Sequence, residues 1–109
     1  MATNDYTRLV DRYIKDYILA PYKIKVLKLD IDGLGGKEAE KEMNRLYDFM
    51  ELVRDNIEDE YLMDLDLLFR YSTKEIMERS SYCNKRNIAY TKKKIRKKFY
   101  DLMIQEGLL

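Results

Sequence analysis

A heptad pattern in the first third of the chain constrains the fold more than any other feature. Apolar residues recur there at alternating spacings of four and three, at Tyr6, Val10, Tyr13, Tyr17, Ala20, Ile24, Leu27, Ile31 and Leu34. Such a repeat lies on one side of an α-helix, and that side needs a partner helix. Because proline lacks a backbone donor and crowds the preceding turn, we expect a break or kink near Leu19 and Ala20, with Pro21 opening the next segment.

A second helix with the same kind of pattern is predicted after a glycine cluster. Gly33, Gly35 and Gly36 predict the turn between the two helices. The pattern then resumes at Ala39, Met43, Leu46, Met50, Val53 and Ile57, which indicates a helix of about twenty residues. The two patterned helices can pair with each other as an antiparallel hairpin, or either can pair with another subunit.

Three shorter patterns follow. A dense apolar cluster from Tyr61 to Phe69 predicts a short helix that is buried on several sides. Ser72 and Glu75 have the spacing of a capping box, in which the serine hydroxyl caps the amide at the third helical position and the glutamate reaches back. We therefore expect a helix over residues 73–79.

The last predicted helix runs over residues 85–105. Residues 80–85 contain Ser and Asn without hydrophobic periodicity, which favours a turn. Gly107 is placed to end the helix. With 38% charged residues, one proline and four glycines, the chain is predicted to be all-α. We expect a helical hairpin over residues 1–57 and a helix-turn-helix unit over residues 58–109, joined in one continuous compact domain.

Metal and enzyme chemistry are not expected. The chain has no histidine, and its lone cysteine, Cys83, has no obvious catalytic partner. A calcium loop centred on Gly33 fails because Lys28 and Ala39 would occupy positions that need oxygen ligands. Acids at Glu58 to Glu60 are typical of a helix N-terminus. We therefore predict no catalytic residue, no metal and no cofactor.

The chain's charges also bear on its surroundings. Charged residues interrupt the first twenty residues, and no stretch approaches the ~20 apolar residues of a membrane span. These observations predict a cytoplasmic protein without membrane contact.

The basic residues are concentrated near the C-terminus. From Arg79 to Tyr100 the chain carries nine lysines and arginines and no acid, while the remaining residues carry 12 bases and 20 acids. A helix that is merely solvated usually intersperses acids for i,i+4 pairing, and this one does not. The asymmetry indicates a face that meets a polyanion, with nucleic acid as the leading candidate.

Helical geometry divides this basic segment into two sides. At about 100° per residue, one side is apolar and should pack inward; it carries Ile88, Thr91, Ile95, Phe99 and Leu102. The opposite ridge carries Arg86, Tyr90, Lys93 and Lys97, and a helix with such a ridge fits the DNA major groove. The N-terminal candidates for base contacts are Arg86, Asn87 and Tyr90. The candidates for phosphate contacts are Lys85, Lys93, Lys94 and Lys97.

The segment from Leu67 to Ile76 (LLFRYSTKEI), followed by Tyr82 and by residues 88–99, resembles a known helix-turn-helix. It is similar to the C-terminal module of phage late-transcription regulators of the ArpU/RinA type, which is itself similar to region 4 of sigma factors. The resemblance covers nearly the whole chain, and its motifs are degenerate. It implies sequence-specific binding to phage or prophage promoter DNA, activation of late genes, and host RNA polymerase as a candidate partner.

Two other functions stay open at this point. The chain could be a small phage interaction module that grips a host protein through its helical hairpin. It could also bind RNA, since exposed aromatics such as Tyr90 stack on unpaired bases. A homodimer is also open, because two unequal heptad patterns can leave apolar surface uncovered. Salt dependence separates the first two classes, because phosphate contacts weaken steeply with salt whereas an apolar interface does not.

Overall fold

The computed structural model describes residues 2–31, 36–79 and 84–109, without the side chains of residues 2–6, 30 and 31. Six α-helices and no strand form within these ranges: α1 (Ala2–Ile31), α2 (Gly36–Asn56), α3 (Asp59–Met63), α4 (Leu65–Arg70), α5 (Thr73–Arg79) and α6 (Lys85–Gln105). The all-α prediction is confirmed. The predicted glycine turn at Gly33 and Gly35, and the turn residues 80–83 with Tyr82 and Cys83, lie outside the described residues.

Helices α1 and α2 pack along each other through their heptad faces. Ala20 and Ile24 of α1 share a buried cluster with Leu46 and Met50 of α2. Val10, earlier in α1, shares the main core with residues at the end of α2. The two helices therefore run in opposite directions, and the predicted heptad positions with described side chains are buried or half-buried.

The predicted break at Pro21 is wrong, because α1 continues through it without interruption. A proline within a helix removes one backbone hydrogen bond and crowds the preceding turn. Ala20 and Ile24 are almost fully buried against α2 on either side of Pro21. Because tertiary packing of an apolar face supplies most of a helix's stability, this burial outweighs the local penalty.

The cluster from Tyr61 to Phe69 forms two short helices rather than the single one that was predicted. The Asp64 amide turns back to the Leu62 carbonyl, which interrupts the i to i−4 ladder between α3 and α4. Leu65 and Leu68 are fully buried, whereas Met63 is 82% exposed. Burial is thus concentrated in α4, which contacts α1, α5 and α6.

The main hydrophobic core joins elements from both halves of the chain. Its buried residues are Val10, Ile14, Val53, Ile57, Leu65, Leu68, Ile76, Ile88, Ile95, Phe99, Leu102 and Met103. Ile14 and Met103 are fully buried although neither belongs to a predicted apolar stripe. The core draws on α1, α2, α4, α5 and α6, and it seats α6 against the rest of the protein.

The predicted serine cap of α5 is confirmed. The Glu75 amide donates to Ser72 Oγ at 3.3 Å, and the Ser72 hydroxyl donates to Glu75 Oε1 at 3.0 Å. Glu75 thus reaches back to the hydroxyl of the cap. Ile76, one position further, is fully buried in the main core, so the cap and the core fix both ends of the first turn.

Candidate nucleic-acid interface

Both ends of α6 are held by local hydrogen bonds. At the start, the Asn87 amide donates to Asn84 Oδ1 at 2.9 Å, which satisfies one of the amides that have no partner within the helix. At the end, the Leu108 amide donates to the Met103 carbonyl at 2.8 Å and the Gly107 amide to the Ile104 carbonyl at 3.1 Å. Gly107 has φ +72°, so α6 ends in a Schellman motif at the predicted glycine.

One side of α6 is buried, as its apolar pattern predicts. Ile88, Ile95 and Phe99 are at most 1% exposed, Leu102 is 4% exposed, and Thr91 is half-buried. The Thr91 hydroxyl donates to the Asn87 carbonyl at 2.9 Å. This packing fixes the rotation of α6, and therefore which side chains face outward.

The seven residues predicted to contact DNA all lie on the exposed surface of α6: Lys85, Arg86, Asn87, Tyr90, Lys93, Lys94 and Lys97. Tyr90 is 61% exposed, and Lys94 Nζ lies 5.0 Å from the centroid of its ring. Among the described residues, Lys85, Arg86 and Lys93 form no ion pair. Their charges are therefore available to an outside anion.

Lys97 is the exception on this surface. Its Nζ lies 3.4 Å from Asp101 Oδ2 one turn later, and both side chains are more than half exposed. Exposed pairs of this kind are worth little, about 0.3–0.5 kcal/mol at i,i+4 spacing. Asp101 nevertheless places a negative charge at the C-terminal limit of the basic ridge.

Three of the nine cations do not belong to the outward ridge. Arg96 grips Asp11 of α1 with two hydrogen bonds, and Lys98 Nζ donates to Glu58 Oε1 at 3.0 Å. Lys92 is half-buried, with Nζ 5.3 Å from the centroid of the Phe69 ring. The basic segment thus splits into cations that attach α6 to the body and cations that face solvent.

The inward cations perturb the pKa values around them. Hydrogen bonds from its own backbone amide and from Lys98 lower the pKa of Glu58, and the same contact raises the pKa of Lys98. Burial lowers the pKa of Lys92, and the nearby Arg96 lowers it further. These directions identify charges that are used within the fold rather than offered to a ligand.

Sequence reasoning missed the inward role of Arg96, Lys98 and Lys92. At about 100° per residue, Lys92 falls only about 40° from Ile88, so its position on the wheel already indicated partial burial. Asp11 and Glu58 are remote in the sequence, and nothing in local spacing identifies them as partners. The cap at Asn84 was also missed, although an asparagine before a predicted helix is a recognised start signal.

Comparisons of the chain with protein-family models, with curated proteins and with solved structures give no match. None of the helices in the described ranges has the length and apolar character needed to cross a membrane. Over the same residues, no three potential ligands among His, Cys, Asp and Glu come together as a metal site. What the surface of α6 binds therefore has to be argued from its own geometry.

Proposed function

We propose that the protein binds double-stranded DNA by placing the exposed face of α6 in the major groove. The observation that carries this proposal is the row of exposed cations without ion pairs along a helix whose opposite side is buried. Arg86 and Lys93, seven residues apart, belong to this row. A helix fits the width of the major groove, and phosphates flank it on both sides.

The order of residue types along α6 suits this orientation. Arg86, Asn87 and Tyr90 lie in the first two turns, the part of a recognition helix that approaches base edges. Arginine can grip guanine with two hydrogen bonds, and asparagine can do the same with adenine. We assign base contacts to these three residues.

Phosphate contacts are assigned to the lysines of the same face. Lys85 precedes the base-contacting residues, and Lys93, Lys94 and Lys97 follow them along the helix. Phosphate contacts fix the register of the protein on DNA and supply salt-dependent affinity. Lys97 shares its charge with Asp101 and is the weakest of the four.

Helix α5 would serve as the first helix of a helix-turn-helix. It contacts α6, and its fully buried Ile76 lies in the same core as Ile88 of α6. The residues from Leu67 to Ile76 carry the resemblance to phage late-transcription regulators. On that resemblance we propose a role in activating phage or prophage promoters in the cytoplasm of a bacterial host, with RNA polymerase as a candidate partner.

Fluorescence anisotropy tests the binding proposal. The wild-type protein is titrated into labelled random duplex DNA, single-stranded DNA and RNA at two salt concentrations. The double variant Lys93→Glu/Lys97→Glu reverses two ridge charges. Lys37→Glu/Lys41→Glu is the matched control, because both lysines are exposed on α2 with the same spacing of four.

The expected result is duplex binding that falls steeply with salt, is lost in the α6 variant and is kept in the α2 control. Equal losses in both variants would show a general effect of net charge and contradict the assignment to α6. Preference for single strands or RNA, or no binding at low salt, would overturn the proposal.

A further inference from the structure

The second half of α1 carries an apolar stripe on its outer side. The stripe consists of Leu19, Tyr22, Val26 and Leu29, which are 45%, 55%, 60% and 77% exposed. Ala20 and Ile24, on the opposite side of the same turns, are buried against α2. A helix that is apolar on both sides is normally covered on both. Within the described residues, nothing covers the outer side.

The spacing of the stripe is that of a coiled-coil seam. Its members are three, four and three residues apart, so Leu19 and Val26 take one core position of the heptad and Tyr22 and Leu29 the other. This seam is separate from the buried heptad pattern that faces α2. Scattered exposed apolar residues need no explanation, but four in heptad register form a continuous ridge.

A groove lies beside this ridge. Its volume is about 360 Å³, and it is lined by Leu19, Tyr22, Lys23, Val26 and Leu27 of α1 with Glu42 and Leu46 of α2. The apolar lining residues of α1 include three members of the ridge itself. One surface of the protein thus presents both a ridge and an adjoining hollow.

We propose that this surface pairs with a second copy of the same chain. A two-fold axis brings the same patch of both subunits together, so it requires a patch that complements itself. The ridge of one copy can lie against the ridge and groove of the other, and the heptad spacing is matched by definition between identical helices. A seam of this spacing takes another helix with the same spacing, which the second copy supplies.

The charges beside the seam favour a parallel arrangement of the two α1 helices. Lys23 and Lys25 lie at the two flanking positions of the heptad, next to the core positions. Antiparallel pairing would place Lys23 near the partner's Lys23 and Lys25 near the partner's Lys25, and like charges repel. Parallel pairing sets each lysine against a different type of residue.

A standard interface buries about 800 Å² per partner, which is more than a stripe of four side chains supplies. We therefore expect an association that depends on protein concentration rather than a permanent dimer. This inference concerns α1 and stands independently of the proposed DNA binding.

Sedimentation velocity over a concentration series tests the interface without any nucleic acid. Val26→Glu places a charge on the ridge, and Val26 is exposed enough for the monomer to tolerate it. Ile104→Glu is the matched control, because Ile104 is a 45% exposed apolar residue on α6. We expect the dimerisation constant to weaken by at least about tenfold in Val26→Glu and to stay unchanged in Ile104→Glu. A protein that stays monomeric throughout, or a dimer unaffected by Val26→Glu, would overturn the proposal.

Disulfide cross-linking tests the orientation. The single cysteine, Cys83, is replaced by serine, and Val26→Cys or Ile104→Cys is introduced into that background. In a parallel seam identical core positions face each other, so Val26→Cys should form a covalent dimer on mild oxidation and Ile104→Cys should not. A dimer that is sensitive to Val26→Glu but gives no Val26→Cys cross-link would refute the parallel arrangement.

Discussion

The guanidinium of Arg96 holds the carboxylate of Asp11 with two hydrogen bonds, Nε to Oδ1 at 2.7 Å and Nη2 to Oδ2 at 3.2 Å. The two side chains are 33% and 30% exposed, so water screens the pair only in part. Arginine presents its donors in a planar fork that suits a carboxylate. The contact ties the middle of α6 to the N-terminal half of α1.

Removing this fork should destabilise the fold. Arg96→Met keeps most of the apolar stem and leaves the Asp11 carboxylate without its partner, so we expect a loss of about 1–2 kcal/mol in the free energy of unfolding. Urea denaturation monitored by circular dichroism measures this. Lys97→Met, which breaks the exposed pair with Asp101, is the control and should change stability by less than about 0.5 kcal/mol. Equal effects of the two substitutions would contradict the role given to Arg96.

Two glycines should respond in opposite directions to alanine. Gly107 has φ +72°, which an L side chain rarely adopts, so Gly107→Ala should cost about 1 kcal/mol. Gly36 opens α2 without positive φ, and a Cβ there would meet no atom within 4 Å, so Gly36→Ala should stabilise by about 0.4–1 kcal/mol. Thermal unfolding of both variants tests the pair. Stabilisation by Gly107→Ala would argue against the Schellman ending of α6.

The cap of α6 offers a way to separate folding from DNA binding. Asn84→Ala removes the acceptor for the Asn87 amide and should cost about 1 kcal/mol. Asn84→Asp keeps the acceptor and adds a negative charge that suits a helix N-terminus, so stability should be retained. Under the proposed function, the same new charge lies near the DNA and should weaken duplex binding. If Asn84→Asp left affinity unchanged, the first turn of α6 would not be close to phosphate.

The acid stability of the fold should depend on Glu58. Because its pKa is lowered in the folded state, its contribution is present above the ordinary value of 4.5 and is lost as pH falls through the lowered value. Wild type should therefore be more stable than Glu58→Gln at about pH 6, and the two should converge towards about pH 3. Urea midpoints across this range measure the gap. Lys98→Met removes the partner and should reproduce part of the change; a gap that persists at low pH would refute this account.

Asp101→Asn should tighten DNA binding if α6 is the DNA-contacting helix. The substitution removes a negative charge at the end of the ridge and releases Lys97, whose Nζ lies 3.4 Å from the carboxylate. One additional phosphate contact would make the slope of log affinity against log salt steeper by about one. Glu51→Gln on the exposed side of α2 changes net charge equally and should leave the slope unchanged.

Sequence patterns predicted the features of this fold that repeat or act locally. The buried faces of α1, α2 and α6 follow heptad or helical spacing, because burial on a helix is periodic. The Ser72 cap and the Gly107 ending depend on residues within one turn of the helix end. The exposure of the seven candidate residues on α6 follows from the same periodicity, although their contact with DNA stays a prediction.

Features set by distant parts of the chain could not be predicted in this way. Asp11 lies 85 residues from Arg96, and only the packed fold brings them together. Pro21 was expected to break α1 because the local penalty is visible in the sequence, whereas the compensating burial of Ala20 and Ile24 is not. The inward cations have the same origin, since their partners belong to α1, to α4 and to the start of α3.

The division of charge on α6 makes ionic strength act on both of its sides at once. Added salt would loosen a polyanion from Arg86 and Lys93, and it would also weaken the Lys98 to Glu58 contact by which α6 is attached to the body. A steep salt response in binding would then combine counterion release with a small loss of rigidity in the helix that binds. Arg96, which is better shielded from water than Lys98, would keep α6 anchored through most of that range.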